Sequence, residues 1–217
     1  MRDQLGDLRK TLAGWKTPVT RIWTKCSSAG REHVAITVVD YDQQWPRRFE
    51  DTAERVRGVL GDKALSVEHI GSTSVPGLAA KPIVDMLVTV TVADVADEAA
   101  YVPTLESIGS GLRVRERGHR MLRTVGRDTH LHVYQPDRAE VRDYLDLRDW
   151  LRVDAEDRAL YAAEKRRLAE QQWRDMNDYA EAKTDIIRDI LTRARGLALP
   201  DLRTPPRASS AGQSPRG

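Results

Sequence analysis

Between Val67 and Val90 the chain reads VEHIGSTSVPGLAAKPIVDMLVTV, and this stretch leaves few folds open. PIVDMLVTV is an almost continuous run of aliphatic and β-branched residues, the composition of an interior strand covered on both faces. Alternation along a strand places Ile83, Asp85, Leu87 and Thr89 on one face and Val84, Met86, Val88 and Val90 on the other. A carboxylate among such neighbours carries a large desolvation cost unless something balances it. Asp85 is therefore neutral, paired with a cation or open to a cleft. A purely structural Asp–Arg or Asp–Lys pair is the plain alternative.

The rest of the chain reads as strands interleaved with helices, then a run of helices, which argues an α+β fold with a mixed sheet, flanking helices and a C-terminal helical segment. HVAITVVDY (His33–Tyr41) is rich in β-branched residues and reads as a first strand. Asp42 is positioned to cap a helix with Pro46 in its first turn. Phe49, Ala53, Val56 and Leu60 form the helix's apolar stripe, and Gly61 ends it. ALSVEHI and PIVDMLVTV are the next two strands, and a helix is expected over about 94–108, before GSG. HRMLRTV and HLHVYQ read as two strands joined by GRD. Val141, Tyr144, Leu145 and Leu151, then Leu160, Tyr161 and Leu168, recur at helical spacing. A last helix carries Tyr179, Lys183, Ile186, Ile187, Ile190 and Leu191, with Asp178 and Glu181 resembling a capping box and Gly196 as its stop. Residues 1–31, where Leu5, Leu8, Leu12 and Trp15 allow a short helix, read as an extension. Residues 32–196 form the domain, and 197–217 read as a disordered tail without apolar periodicity.

Charge limits the partners. The chain has 217 residues, enough for one well-cored domain, and 31% of them are charged, above the usual quarter or so. The pI of 8.7 hints at nucleic acid. However, the tail holds Arg203, Arg207 and Arg216 against Asp201, which accounts for the whole net charge of +2. The body is neutral on balance, so nucleic acid is not an expected partner. Scattered tryptophans (Trp23, Trp45, Trp150, Trp173) lack the basic interleaving of a base-stacking platform and read as core or edge residues. Cys26 is the only cysteine, so no disulfide forms within the chain. It reads as an inert loop residue. No run approaches the ~20 apolar residues of a membrane helix and no signal peptide is visible, so a soluble cytoplasmic protein is expected.

The loop beside Asp85 suits phosphate. Gly71 allows a sharp turn and close approach of a ligand. Ser72, Thr73 and Ser74 offer hydroxyls, Lys81 offers a point charge, and a helix starting near Val75–Ala80 would add free backbone N–H groups. A phosphate seat beside a carboxylate suits a Mg²⁺–nucleotide complex. His130, His132 and Tyr134 share one strand face. The two imidazoles are able to share a metal or contact phosphate, or they are simply a hydrogen-bonded pair. Glu68 and His69 point to opposite faces, so at most one reaches the cleft, Glu68 as a substitute metal ligand. Lys183 either snorkels to solvent or reaches the cleft as a phosphate contact. The charged helix EKRRLAEQQWR reads as a solvated face.

HIGSTSVPGLAAKPIVD resembles the signature of the GrpB-like proteins (UPF0157). The likeness extends from about Val38 to Arg195 and includes YDQQWPRRF, HLHVYQP and YAEAKTDIIRDIL. The resemblance implies the nucleotidyltransferase fold of the DNA polymerase beta type. There a Gly-Ser pair follows one strand, and Asp-x-Asp or Asp-x-Glu on the next strand, with a later carboxylate, holds two Mg²⁺ ions for in-line attack on an α-phosphate. Gly71 and Ser72 match the Gly-Ser pair and Asp85 the first acid. Leu87 stands at the second acid position, and HLHVYQ carries no acid.

Three functions are thereby set against one another. The first is transfer of a nucleotidyl group from an NTP to a small acceptor, with Gly71, Ser72, Thr73, Ser74, Lys81, His69, His130 and Lys183 on substrate phosphates and Asp85, His132 and Glu68 on Mg²⁺. The second is a nucleotide- or phosphate-binding module that has lost catalysis. The family's fusion to dephospho-coenzyme A kinases implies that such a module belongs to nucleotide or coenzyme A metabolism. The third is a metal-dependent phosphoester hydrolase built on Asp85, His130 and His132.

Overall fold

A computed structural model describes residues 35–92 and 95–196. The expected N-terminal helix, Cys26, Trp23 and the tail lie outside these residues. A five-stranded mixed sheet of order β1-β2-β5-β4-β3 forms the centre. Its strands are β1 (Ala64–Ile70), β2 (Val84–Val90), β3 (Ser110–Glu116), β4 (His119–Thr124) and β5 (Thr129–Tyr134). β2 is antiparallel to β1 and parallel to β5, while β5–β4 and β4–β3 are antiparallel. β2 is thus interior to the sheet, and every residue of it except Asp85 is buried, as its composition requires.

Helix α1 (Trp45–Leu60) covers one face. Its buried stripe is Trp45, Phe49, Ala53, Val56 and Leu60, and it packs on Val67, Val84, Met86, Val88 and Val133. A short helix, α2 (Val102–Glu106), adds Val102 and Leu105 to the same core. Gly61 stops α1 at φ 54°, where a side chain would be strained. Asp42 does not cap α1 directly: its Oδ1 accepts from the Gln44 N–H at 2.8 Å, in the turn before the helix.

On the opposite face of the sheet, Ile70, Leu87 and Tyr134 pack on Val141 and Tyr144 of α3 (Ala139–Val153), which is followed by α4 (Ala155–Ala169), α5 (Met176–Glu181) and α6 (Thr184–Gly196). Leu147, Trp150, Leu151, Tyr161, Ile187, Ile190 and Leu191 form their shared core, into which Val75 and Leu78 of the β1–β2 connection insert. The whole is an α+β fold with a C-terminal helical layer. Trp45 and Trp150 are buried, as core residues should be. Among the described residues no helix is long and apolar enough to cross a membrane.

Several local expectations fail for identifiable reasons. The expected first strand is reduced, within Ala35–Tyr41, to a single bridge between Val39 and Ala80. The helix expected over 94–108 is only a 3₁₀ turn at Glu98–Ala100 followed by the five residues of α2. β3 was not foreseen, because it is an edge strand with a register shift between Leu112 and Val114 and an arginine on either side of Val114. Leu160 is exposed. Asp175, not Asp178, caps α5, its Oδ1 accepting from the N–H groups of Asn177 and Asp178. The single last helix is two, α5 and α6, with Lys183 at the break.

Candidate functional site

Register explains the aspartate. Parallel pairing sets Asp85 of β2 beside His130 of β5 and Leu87 beside His132. Residues paired in this way share a sheet face, so Asp85, His130 and His132 converge. His130 Nδ1 lies 3.3 Å and His132 Nε2 3.6 Å from Asp85 Oδ1. One donor atom from each of the three falls within 4.8 Å of the others. The Asp85 side chain keeps 17% of its surface exposed, so the group is reachable from solvent. Burial pushes the Asp85 carboxyl upward, but hydrogen bonds and positive charge from His130 and His132 outweigh it and hold the carboxyl well below the usual range. Burial lowers His132, opposed by Asp85 and reinforced by His119 and His130.

Gly71 makes room for the carboxylate. Its φ is +70°, and a Cβ there would meet Asp85 Oδ2 at 2.6 Å and Asp85 Cβ at 3.2 Å. The glycine thus serves both the turn and the close approach of the acid.

The loop does not continue into the helix expected near Val75–Ala80. Ser72–Ser74 is a 3₁₀ turn, and the N–H groups of Ser74, Val75 and Leu78 donate to Gly71 O, Ser72 O and Val75 O. Thr73 and Ser74 are buried, and their hydroxyls hold the fold. Thr73 Oγ1 lies 3.1 Å from His69 Nε2, and Ser74 Oγ donates to Gly71 O at 2.6 Å. His69 lies on the α1 face of β1, its ring stacked on Phe49 at 4.7 Å. It braces the turn from beneath rather than sharing the face of Asp85. Burial lowers it to about 4, against an upward pull from Asp85.

Cations supply what the missing helix does not. Lys165 of α4 is buried, its Nζ donating to Ser72 Oγ at 2.9 Å and to Ala79 O at 2.5 Å. The Tyr161 hydroxyl also hydrogen-bonds the Ser72 side chain. Lys183 Nζ stands 4.6 Å and Lys81 Nζ 5.4 Å from the centroid of one ring, that of Tyr179. Lys183 therefore points inward and is buried, rather than snorkelling. Burial, then Lys81, lower Lys183 to about 7, partly offset by Asp85. Burial, then Lys183 and Arg166, lower Lys165 well below its ordinary value. Burial also lowers Lys81, opposed by Asp85. Lys81 thus acts on Lys183, and Lys183 on Lys165. Lys165 lies in a charged stretch expected to be solvated, yet its place two helical turns after Asp157 and one after Tyr161, on one face of α4, marks it as inward-facing.

Arginines of α3 fix the turn from the helical side. Arg152 donates to Ser74 O at 2.9 and 3.1 Å, and Arg148 donates to His69 O at 3.2 Å. Arg148 also holds Glu68 at 2.8 Å. Glu68 shares the face of Asp85 but is engaged there, and it stands outside the three-residue group, so its expected role as a metal ligand does not materialise. A recess beside the turn is lined by Gly71, Ser72, Tyr144, Leu147, Arg148, Leu151 and Tyr161. His119, which sequence reading did not single out, is buried against His132.

This architecture can be placed among known proteins. The profile of the GrpB protein family matches residues 35–193. The chain belongs to the GrpB family. Among GrpB relatives, a UPF0157 protein of Streptomyces coelicolor is 53% identical over 165 residues, covering 76% of this chain and 87% of the relative. A UPF0157 protein of Halalkalibacterium halodurans is 48% identical over 165 residues, covering 75% and 84%. The crystal structure of the conserved protein GrpB from Enterococcus faecalis superposes with a TM-score of 0.64 at 32% identity, covering 74% of this chain and 98% of that one. A dephospho-CoA kinase of Mycolicibacterium paratuberculosis is 30% identical over 186 residues, 73% of this chain and 46% of the kinase. The two-magnesium arrangement with three acids does not fit this GrpB chain. Here one acid meets two imidazoles, and Leu87, two residues after the acid, is fully buried.

Proposed function

We propose that the protein transfers a nucleotidyl group from a nucleoside triphosphate to a small acceptor, with the phosphates seated between Ser72 and the lysines of the helical face. The observation that carries this reading is the set of two buried lysines, Lys165 and Lys183, with the half-buried Lys81, beside the serine turn and Asp85. Like charges buried together raise the energy of the empty site, and a polyanion relieves it. Lys165 and Ser72 bind and orient the phosphate chain. Lys183 and Lys81 offset negative charge as it shifts onto the leaving pyrophosphate. A divalent ion, when bound at Asp85, His130 and His132, supplies Lewis acidity at a phosphate oxygen. The acceptor oxygen forms a bond to the α-phosphorus as the bond to the bridging oxygen breaks, pyrophosphate leaves, and the acceptor proton passes to solvent water. The neutral balance of charge in residues 1–200 favours a small acceptor over a polynucleotide.

Titration calorimetry with NTPs, with chelator and with divalent metal, tests this. Binding is expected even with chelator and is expected to weaken at least about tenfold in Lys165→Met, the cost of a lost charge-assisted contact. Absence of NTP binding under both conditions removes the reading. Release of pyrophosphate across an acceptor panel separates transfer from the second reading, a phosphate-binding module, which Leu87 at the second acid position favours. The kinship to a dephospho-CoA kinase makes coenzyme A precursors the first acceptors to try.

A further inference from the structure

The donor set on β2 and β5 is one for a different ion from the one the fold leads one to expect. Mg²⁺ takes oxygen donors, usually carboxylates and water. Here the donors are one carboxylate oxygen and two imidazole nitrogens, within 4.8 Å of one another. Leu87, where a second oxygen donor would stand, is fully buried in apolar contacts with Ile70, Tyr134 and Tyr144. Two imidazoles with one carboxylate suit divalent transition ions such as Mn²⁺, Fe²⁺, Co²⁺ and Zn²⁺.

The surroundings of His132 point the same way. His132 Nδ1 lies 3.2 Å from His119 Nε2, and His119 Nδ1 lies 3.3 Å from Glu116 Oε2. The Glu116 carboxylate only accepts, so a neutral His119 carries its proton on Nδ1 and accepts at Nε2. Once a metal ion replaces the proton shared with Asp85, His132 donates from Nδ1 and offers the ion its Nε2 lone pair, on the atom that faces Asp85. A carboxylate-to-imidazole chain behind a ligand is how metal-binding histidines are held in one tautomer. His119 is itself fixed, stacked on Tyr134 at 4.5 Å. An ion pair of Asp85 with two charged histidines would need no such wiring.

We propose that Asp85, His130 and His132 form a centre for one divalent transition-metal ion in preference to Mg²⁺, with Glu116 and His119 as positioning residues that turn the Nε2 lone pair of His132 toward the ion. The proposal rests on the nucleotidyl-transfer reading for what the ion does there, but ion binding is measured without nucleotide.

The test uses the full chain, stripped with chelator, desalted and titrated with metal salts alone. Calorimetry and the visible absorption of Co²⁺ are expected to give one ion per chain, with Mg²⁺ at least about 100-fold weaker, as its preference for oxygen donors implies. Pulsed electron paramagnetic resonance of bound Mn²⁺ is expected to show coupling to imidazole nitrogen. His130→Gln and His132→Gln each lose the site. His119→Gln and Glu116→Gln keep one ion per chain but bind it about 10–100-fold more weakly, with an unchanged thermal midpoint in the metal-free state. Mg²⁺ binding as tightly as Co²⁺, no ion binding at all, or Mn²⁺ bound without nitrogen coupling overturns the centre. Wild-type affinity in Glu116→Gln overturns the wiring. The nitrogen coupling and the Mg²⁺ comparison are read on the wild-type chain, so a misfolded His119 variant leaves the proposal exposed. NTP binding in chelator that persists when no metal binds sinks this inference while sparing the lysine seat.

Discussion

Asp85 keeps its charge inside β2 because three neighbours accommodate it. His130 and His132 face it from the next strand, and Gly71 gives up a side chain to let it approach. The glycine is the most exacting of the three. At φ +70° an alanine adopts a disfavoured backbone, and its Cβ would also stand 2.6 Å from Asp85 Oδ2 and 3.2 Å from Asp85 Cβ. The oxygen is able to swing aside; the Cβ of Asp85 is carried by the strand. Gly71→Ala is therefore expected to lower unfolding stability by about 1–3 kcal/mol, the range for such backbone strain. Urea denaturation followed by circular dichroism measures it. A variant as stable as the wild type would mean that the carboxylate does not sit against the turn.

Helix α4 illustrates what could and could not be read in advance. Its buried residues are Asp157, Tyr161, Lys165 and Leu168, a regular helical face on which two of four positions are charged. A search for apolar periodicity passes over such a face. The same holds for β3, an edge strand with four polar residues among its seven, and for the partnership of β2 with β5, which joins segments about 45 residues apart and has no local signature. What could be read was local: the stripe of α1, the apolar β2, the shared face of His130 and His132, and the Gly-Ser turn. The three-residue group needed the sheet order, and Lys165 needed the docking of α4. That docking depends on Asp157, which accepts from Trp150 Nε1 at 2.7 Å and pairs with Arg193 of α6 at 2.5 Å. Asp157→Ala strands the indole N–H and one guanidinium. Arg193 keeps 42% of its side chain exposed, so water screens part of that loss. A destabilisation of about 2 kcal/mol is expected, chiefly from the buried indole and lost packing. Thermal unfolding of Asp157→Ala measures it, and a change below about 0.5 kcal/mol, the size of an ordinary surface substitution, would show that the pair does not anchor α4.

The site lies where three separate parts of the molecule meet: the β1–β2 connection with Lys81, α4 with Lys165, and the α5–α6 break with Lys183. A polyphosphate there would bridge all three, so its binding should be coupled both to folding and to protons. Lys183 is lowered to about 7 from the ordinary lysine value of 10.5. Between those two values the unfolded chain binds a proton that the folded chain has released, so stability rises with pH across this window. Lys165 and Lys81, lowered by the same burial, act in the same direction. A bound polyanion favours the ammonium forms and raises these values. At pH 8.5 ATP has shed its last phosphate proton, so protons taken up on binding come to the protein. Titration with ATP in chelator at pH 8.5, in two buffers of different ionisation enthalpy, is expected to report net proton uptake. The uptake should shrink toward pH 6, where Lys183 is already charged, and fall in Lys183→Met. By the same linkage ATP affinity declines as pH rises above about 7. Saturating ATP at about 100 times its Kd should stabilise the fold by about 2.7 kcal/mol. Binding with no proton uptake, in wild type and Lys183→Met alike, would place the phosphates away from Lys183 and require another seat for them.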